Sequence, residues 1–179
     1  EVREENRLTI EKRCEMAVQL ANHHQTSVYW CNLNDEADTI EGLDKNAVQI
    51  KGPMTIEQKE EILEAFANQQ IKKLITKPTI TGFGLNWQHC NHTVYFPTFS
   101  YEQYYQAIRR FWRFGQQREV FVDLVYSDGQ KRVLDSLLAK TEKANELFDK
   151  LNSNINQNFK VTIKQFDHPV KLPVWLKNN

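Results

Sequence analysis

The sequence predicts an α/β domain: a mainly parallel sheet covered on both faces by helices, with an N-terminal helix and a long C-terminal helix added. Three observations lead there. Short apolar runs of strand character recur at 27–31, 47–50, 73–76, 93–96 and 120–126. Segments with helical spacing separate most of them, and strands alternating with helices favour parallel pairing. The length, 179 residues at 21.2 kDa, suffices for one domain with a sizeable core plus appendages.

From the N-terminus, Ile10, Cys14, Ala17, Val18 and Ala21 fall at helical spacing and predict a first helix over 4–24. The run 27–31 is the first strand. Asn34 is placed to cap a brief helix through Ile40, with Asp35 and Glu36 in its first turn, where acids complement the helix dipole. A second strand at 47–50 ends before Gly52-Pro53, a turn by type. Thr55 and Gln58 form a capping box: the threonine oxygen accepts the amide three residues on while glutamine reaches back. The helix it opens turns Ile62, Leu63 and Phe66 inward. Strands at 73–76 and 93–96, a helix over 101–116 and the clearest strand, 120–126, follow. After the turn Ser127-Asp128-Gly129, Leu134, Leu137, Leu138, Thr141, Ala144, Phe148 and Leu151 recur at three and four, so one long helix is expected over 130–151. Residues 152–158 read as a polar linker. Phe159, Val161 and Ile163 alternate as a candidate edge strand, and Pro169, Pro173 and Trp175 mark an extended tail. The expected organisation is therefore a domain over 1–151 and a linker and tail over 152–179.

Composition excludes several classes. Formal net charge is zero, so a nucleic-acid surface must be a local patch and not a global field. Cys14, Cys31 and Cys90 are too few and too scattered for a disulfide framework or a zinc site, and imply a reducing, cytoplasmic setting. No apolar run is long enough to span a bilayer, and none reads as a signal peptide, so no membrane partner is expected. Because the chain begins at Glu1 and not at a methionine, it is expected to be a fragment or a processed piece.

Two segments carry chemistry. In 101–116, taken as one helix, Tyr101, Tyr104, Tyr105, Ile108, Phe111 and Trp112 fall on one side, while Gln106, Arg109, Arg110 and Arg113 crowd the other. Like charges at helical spacing repel, and a planar, permanently charged guanidinium suits phosphate, so the arginine side is expected to face an anion. Gln106, Arg110 and Arg113 lie within about 60° on the helical wheel, Arg109 leans towards the aromatic border, and Gly115 is a C-terminal stop. The other outcome is that Arg110 or Arg113 pairs with an acid such as Asp123 inside the domain. In 76–90, Gly82 and Gly84 flank Phe83, where a strand gives way to a helix. Such glycines let backbone amides approach a phosphate or sugar, or simply make a tight turn.

These segments resemble a known family. Gln106, Arg110, Arg113, Gly115 and Gln116 match the QxxxRxxRxGQ of the last motif of superfamily two helicases, in its Swi/Snf-like and phage-type forms. Arg109 stands where an acid is usual and Trp112 where a histidine is usual, which points to the phage-like branch. Lys77, Pro78, Ile80, Gly82, Phe83, Gly84, Asn86, Trp87 and Gln88 match the phage-type fifth motif, KPxIxGFGxNWQ, and residues 28–32 resemble the fourth motif. The matches span roughly 28–126. The resemblance implies a RecA-like (P-loop NTPase-like) three-layer domain without its own phosphate loop, the second of two motor domains. It implies that Arg113 is the arginine finger on ATP held by the first domain, with Arg110 beside it. By the same resemblance Gln106, Gly82, Gly84 and Asn86 meet the nucleotide, and Lys77, Thr79 and Arg109 meet the nucleic acid. ATP and Mg2+ would be held mainly by that missing first domain, and DNA bound without sequence preference.

Other features invite a functional reading and resist it. Asp35-Glu36-Ala37-Asp38 spells the tetrad that names a helicase class, but it sits beyond the strand end, and no G-x-x-x-x-G-K-[ST] precedes it. A role in the first helical turn is expected instead. His89, Cys90 and His92 lack a second pair at zinc spacing, and His23 and His24 are expected to decorate a helix end. Trp30 and Trp87 suit a core or a base-stacking platform, and Cys31 reads as an inert buried thiol. Three functions follow: the second motor domain of an ATP-dependent DNA helicase or translocase, a stand-alone nucleic-acid-binding module without ATPase activity, or a protein-interaction piece. An upstream phosphate loop in the full coding sequence would separate the first from the others.

Overall fold

Five parallel strands form one sheet in the order β2-β3-β1-β4-β5. The computed structural model describes residues 2–80, 86–112 and 115–152. Along the chain come α1 (Val2–Leu8), α2 (Ile10–Ala21), β1 (Ser27–Trp30), α3 (Asn34–Leu43), β2 (Ala47–Gln49), α4 (Ile56–Ala67), β3 (Lys73–Thr76), β4 (His92–Tyr95), α5 (Tyr101–Ile108), β5 (Phe121–Leu124), a 3-10 turn (Asp128–Gln130) and α6 (Lys131–Asn152). Asn152, expected to open the linker, closes α6, and the rest of the linker, the edge strand and the tail lie outside the described residues, as do Gly82, Gly84 and Arg113.

Side chains alternate across the strands, so the sheet divides the core in two. Val28 and Trp30 of β1, Leu74 of β3 and Tyr95 of β4 face one side, with Leu63 and Phe66 of α4, Tyr104 of α5 and Leu137 of α6. Tyr29, Ile75 and Val94 face the other, with Cys14 and Ala17 of α2 and Ala37 and Ile40 of α3. Both faces are covered, which is why β1, β3 and β4 are buried along their whole length. The expected capping box is present at the start of α4, Thr55 accepting from the Gln58 amide at 3.3 Å while Gln58 accepts from the Thr55 amide at 3.0 Å.

Three elements depart from expectation. The first helix is two, broken at Thr9, whose hydroxyl donates back to the Glu5 carbonyl at 2.7 Å and accepts from Arg13 Nε at 3.0 Å. Asn34 does not cap α3. Leu33 occupies the cap position and the Glu36 carboxylate accepts the Asn32 and Leu33 amides, both at 2.9 Å. The helix expected over 101–116 ends at Ile108, with Ser100 as its cap. Beyond it the Arg110 carbonyl accepts the Trp87 amide at 3.0 Å and the Phe111 carbonyl accepts Gln116 Nε2 at 3.0 Å, so carbonyls that would continue the helix serve another segment. Gly115 does adopt a left-handed conformation, φ 97°.

Candidate functional site

The chain first builds the sheet to one side of β1, through β2 and β3, and then to the other, through β4 and β5. Such a reversal opens a crevice beyond the carboxyl ends of the strands, where ligands of parallel sheets bind. An open cavity of about 110 Å³ lies there, lined by Asn32 after β1, Lys77 and Thr79 after β3, Tyr95 and Thr98 at the end of β4, and Gln103 of α5. Its lining mixes polar and apolar side chains and, among the described residues, holds one cation, Lys77. Lys77 Nζ donates to Asn34 Oδ1 at 2.7 Å, which holds the ammonium at the rim. Cys31 also borders the cavity but is buried, and burial pushes its thiol well above its ordinary value, reinforced by Glu36 and Cys14.

A second constellation ties the two sequence motifs together. Trp87 is fully buried, with its ring 5.8 Å from Trp30, 5.4 Å from Phe66 and 5.7 Å from Phe111. Arg110, half-buried, lays its guanidinium over the Trp87 indole at 5.3 Å. Gln116 Nε2 donates to the Gln88 carbonyl at 3.1 Å, and Arg118 donates to the His89 carbonyl. Gly115 is glycine for its conformation, φ 97°; a Cβ there would also sit 3.3 Å from the side-chain Nε2 of Gln88, a tight contact.

The structure thus brings Lys77 and Thr79 into one cavity and sets Asn86 and Arg110 at the two ends of the Trp87 latch. Asn86 is exposed, its side chain accepting the Gln88 amide at 3.3 Å. Gln106 is exposed on α5, and Arg109 is exposed over Tyr105 at 5.4 Å, outside the cavity lining. The wheel that groups Gln106, Arg110 and Arg113 does not apply past Ile108, and Trp112 is exposed instead of buried. Asp123 does not pair with Arg110; its carboxylate takes His92 Nε2 at 2.8 Å. Asn32 and Gln103 were not legible as site residues, because only the sheet order places them beside Lys77.

The expected non-sites follow their geometry. Glu36 is buried in an ion pair with Arg13 at 2.6 Å, while Asp35 is exposed. His89 packs edge-on against Phe66, Cys90 Sγ donates to the His92 carbonyl, and His92 is wedged between Ser27 and Asp123, so the three do not converge. His24 does more than decorate a helix end, stacking on His92 at 3.7 Å. Trp30 and Trp87 are both core.

The family of the helicase conserved C-terminal domain matches residues 9–115, more than half of the chain. The chain belongs to this family. Its parallel sheet with helices on both faces matches the fold of RecA-like C-terminal domains of helicases. Among solved structures similar to the helicase domain is the C-terminal part of the Fun30 ATPase domain, at 15% identity and a TM-score of 0.61, covering 70% of this chain and 45% of that one. The Dbp5 C-terminal domain of S. cerevisiae, bound to Gle1 and IP6, gives 15% and 0.60 over 74% of this chain and 80% of that one. The E. coli DEAD-box protein SrmB, bound to the regulator RraA, gives 14% and 0.60 over 72% and 78%. At such identities the likeness is one of fold. No curated protein matches the sequence.

Proposed function

We propose that this helicase domain is the second motor domain of an ATP-dependent DNA helicase or translocase, gripping the nucleic-acid backbone at one edge and reaching ATP on a first RecA-like domain at another. One observation carries the reading: Lys77, Thr79, Asn32, Thr98 and Gln103 converge on the cavity at the switch point of the sheet, where their donors could meet a backbone phosphate. Trp30 borders the cavity and packs on Trp87, which Arg110 covers, so the two edges are joined through the core.

The residues present suit the nucleotide role given them. Arg110 lays a planar, permanently charged guanidinium on the Trp87 indole, and such a group suits a phosphate. Arg113 is the finger by its place in the motif. Among the described residues no three His, Cys, Asp or Glu are grouped to hold a metal ion, and Mg2+ belongs with the ATP phosphates on the first domain.

Backbone contacts by a few cations in a chain of zero net charge make binding weak, indifferent to sequence and steeply salt-dependent. In a fluorescence titration with a labelled oligonucleotide, Lys77→Ala is expected to weaken binding on every sequence and to lower the salt slope by about 0.7–0.9, one phosphate contact. Unchanged affinity and slope would overturn the assignment of the cavity.

A further inference from the structure

A buried ion pair stands directly behind the cavity wall. Arg13 of α2 and Glu36 of α3 are 3% and 1% exposed, and Arg13 Nη1 donates to Glu36 Oε1 at 2.6 Å. The guanidinium has no slack: Nη2 donates to the Asn6 carbonyl at 2.9 Å, Nε to the Thr9 hydroxyl at 3.0 Å, and its carbon lies 5.4 Å from the centre of the Phe96 ring. The second carboxylate oxygen, Oε2, accepts the amides of Asn32 and Leu33. These amides belong to the turn that carries Asn32 into the cavity lining and Asn34 to Lys77. An unbroken chain of contacts therefore runs from α1 and α2 through Arg13 and Glu36 to the rim of the cavity.

Helix capping alone does not require this arrangement. A serine or aspartate at position 33 would close α3 from the surface, without a buried charge. Nor does stability, since apolar side chains of similar volume usually match or exceed a buried ion pair. What the pair does that apolar packing cannot is fix the direction of two backbone amides, and with them the turn that bears Asn32 and Asn34. We propose that Arg13 and Glu36 are positioning residues for nucleic-acid binding, clamping the 31–34 turn so that Lys77 is presented to a backbone phosphate. This rests on the reading of the cavity given above. It assigns Glu36 of the acidic tetrad a task that involves neither metal nor catalysis.

The test uses the whole chain and a fluorescein-labelled oligothymidylate, with anisotropy read over a range of salt concentrations and folding checked by thermal melting. In Arg13→Met with Glu36→Leu the core stays filled, and the two amides, being only part-buried, can turn to water. This double variant is expected to fold, to bind about tenfold more weakly and to lose about 0.7 from the salt slope. Added to Lys77→Ala it should cause little further loss, because both changes remove one contact; a purely structural role would not produce that coupling. Should the double variant melt early, Glu36→Gln, which keeps the shape and one strong acceptor oxygen, carries the same readouts with a smaller effect. A folded variant that binds like the parent while Lys77→Ala binds weakly overturns the positioning role and leaves the cavity assignment standing. If Lys77→Ala also binds like the parent, both are overturned.

Discussion

Trp87 is the side chain against which the two halves of the helicase domain's site rest, so Trp87→Ala is the most direct assault on its architecture. The indole is completely buried and meets Trp30, Phe66 and Phe111 within 5.8 Å, with Arg110 on its face. Emptying a buried aromatic site of this size costs about 3–5 kcal/mol. Within that loss, each well-oriented aromatic pair accounts for about 0.5–1.5 kcal/mol. Against a total stability of about 5–15 kcal/mol, the variant should lose roughly a fifth or more of its folding free energy and melt about 10 °C lower. Trp87→Phe keeps a ring in the stack and gives up an indole N–H that has no hydrogen-bond partner among the described residues, so it should cost less than half as much. Urea unfolding followed by far-UV circular dichroism measures both. An alanine variant within about 1 kcal/mol of the parent would show that the site relaxes around the missing ring and that the latch is not aromatic packing.

Three further outcomes are expected. His24 has its proton affinity lowered by burial and by His92 beside it, so as pH falls below 6.5 the unfolded chain takes up a proton that the folded one resists, and stability should decline until the folded value is passed. Melting scans at a series of pH values should show this decline shrink in His24→Gln; parallel curves would remove His24 as the cause. Burial pushes the Cys14 thiol up to about 12 and raises those of Cys31 and Cys90, so all three should react with a disulfide reagent only as the protein unfolds, and a fast thiol in the native state would contradict the packing. The chain alone should not turn over ATP, whereas in a two-domain protein Arg113→Ala should fold, bind DNA and lose about 10³–10⁵ in turnover; activity within a few-fold of the parent would end the finger assignment.

The amino-acid order by itself determined the alternation of strands and helices, the capping box at Thr55 and Gln58, the long α6 and the family motifs, because each depends on residues close together in the chain. Strand β3 is found over the very residues expected, and the others within a residue or two, since apolar runs flanked by turn formers mark strands locally. Tertiary contacts decided the rest. Where α5 stops depends on Trp87 claiming the Arg110 carbonyl, a partner too far along the chain for helical periodicity to register, and on the nearby Gln116 side chain taking that of Phe111. Thr9 breaks the first helix while its hydroxyl serves Arg13, and Arg13 is drawn inward by Glu36, 23 residues on. Asn34 lies inside α3 instead of capping it, because Glu36 holds the Leu33 amide at the cap, and its side chain meets Lys77 from beyond β3. Asn32 and Gln103 become cavity residues only because β3 and β4 flank β1, an order set by burying both faces of the sheet at once. A pattern in the sequence can say which residues prefer a helix, a strand or the interior; which distant donor claims a given carbonyl or carboxylate is settled only when the layers close.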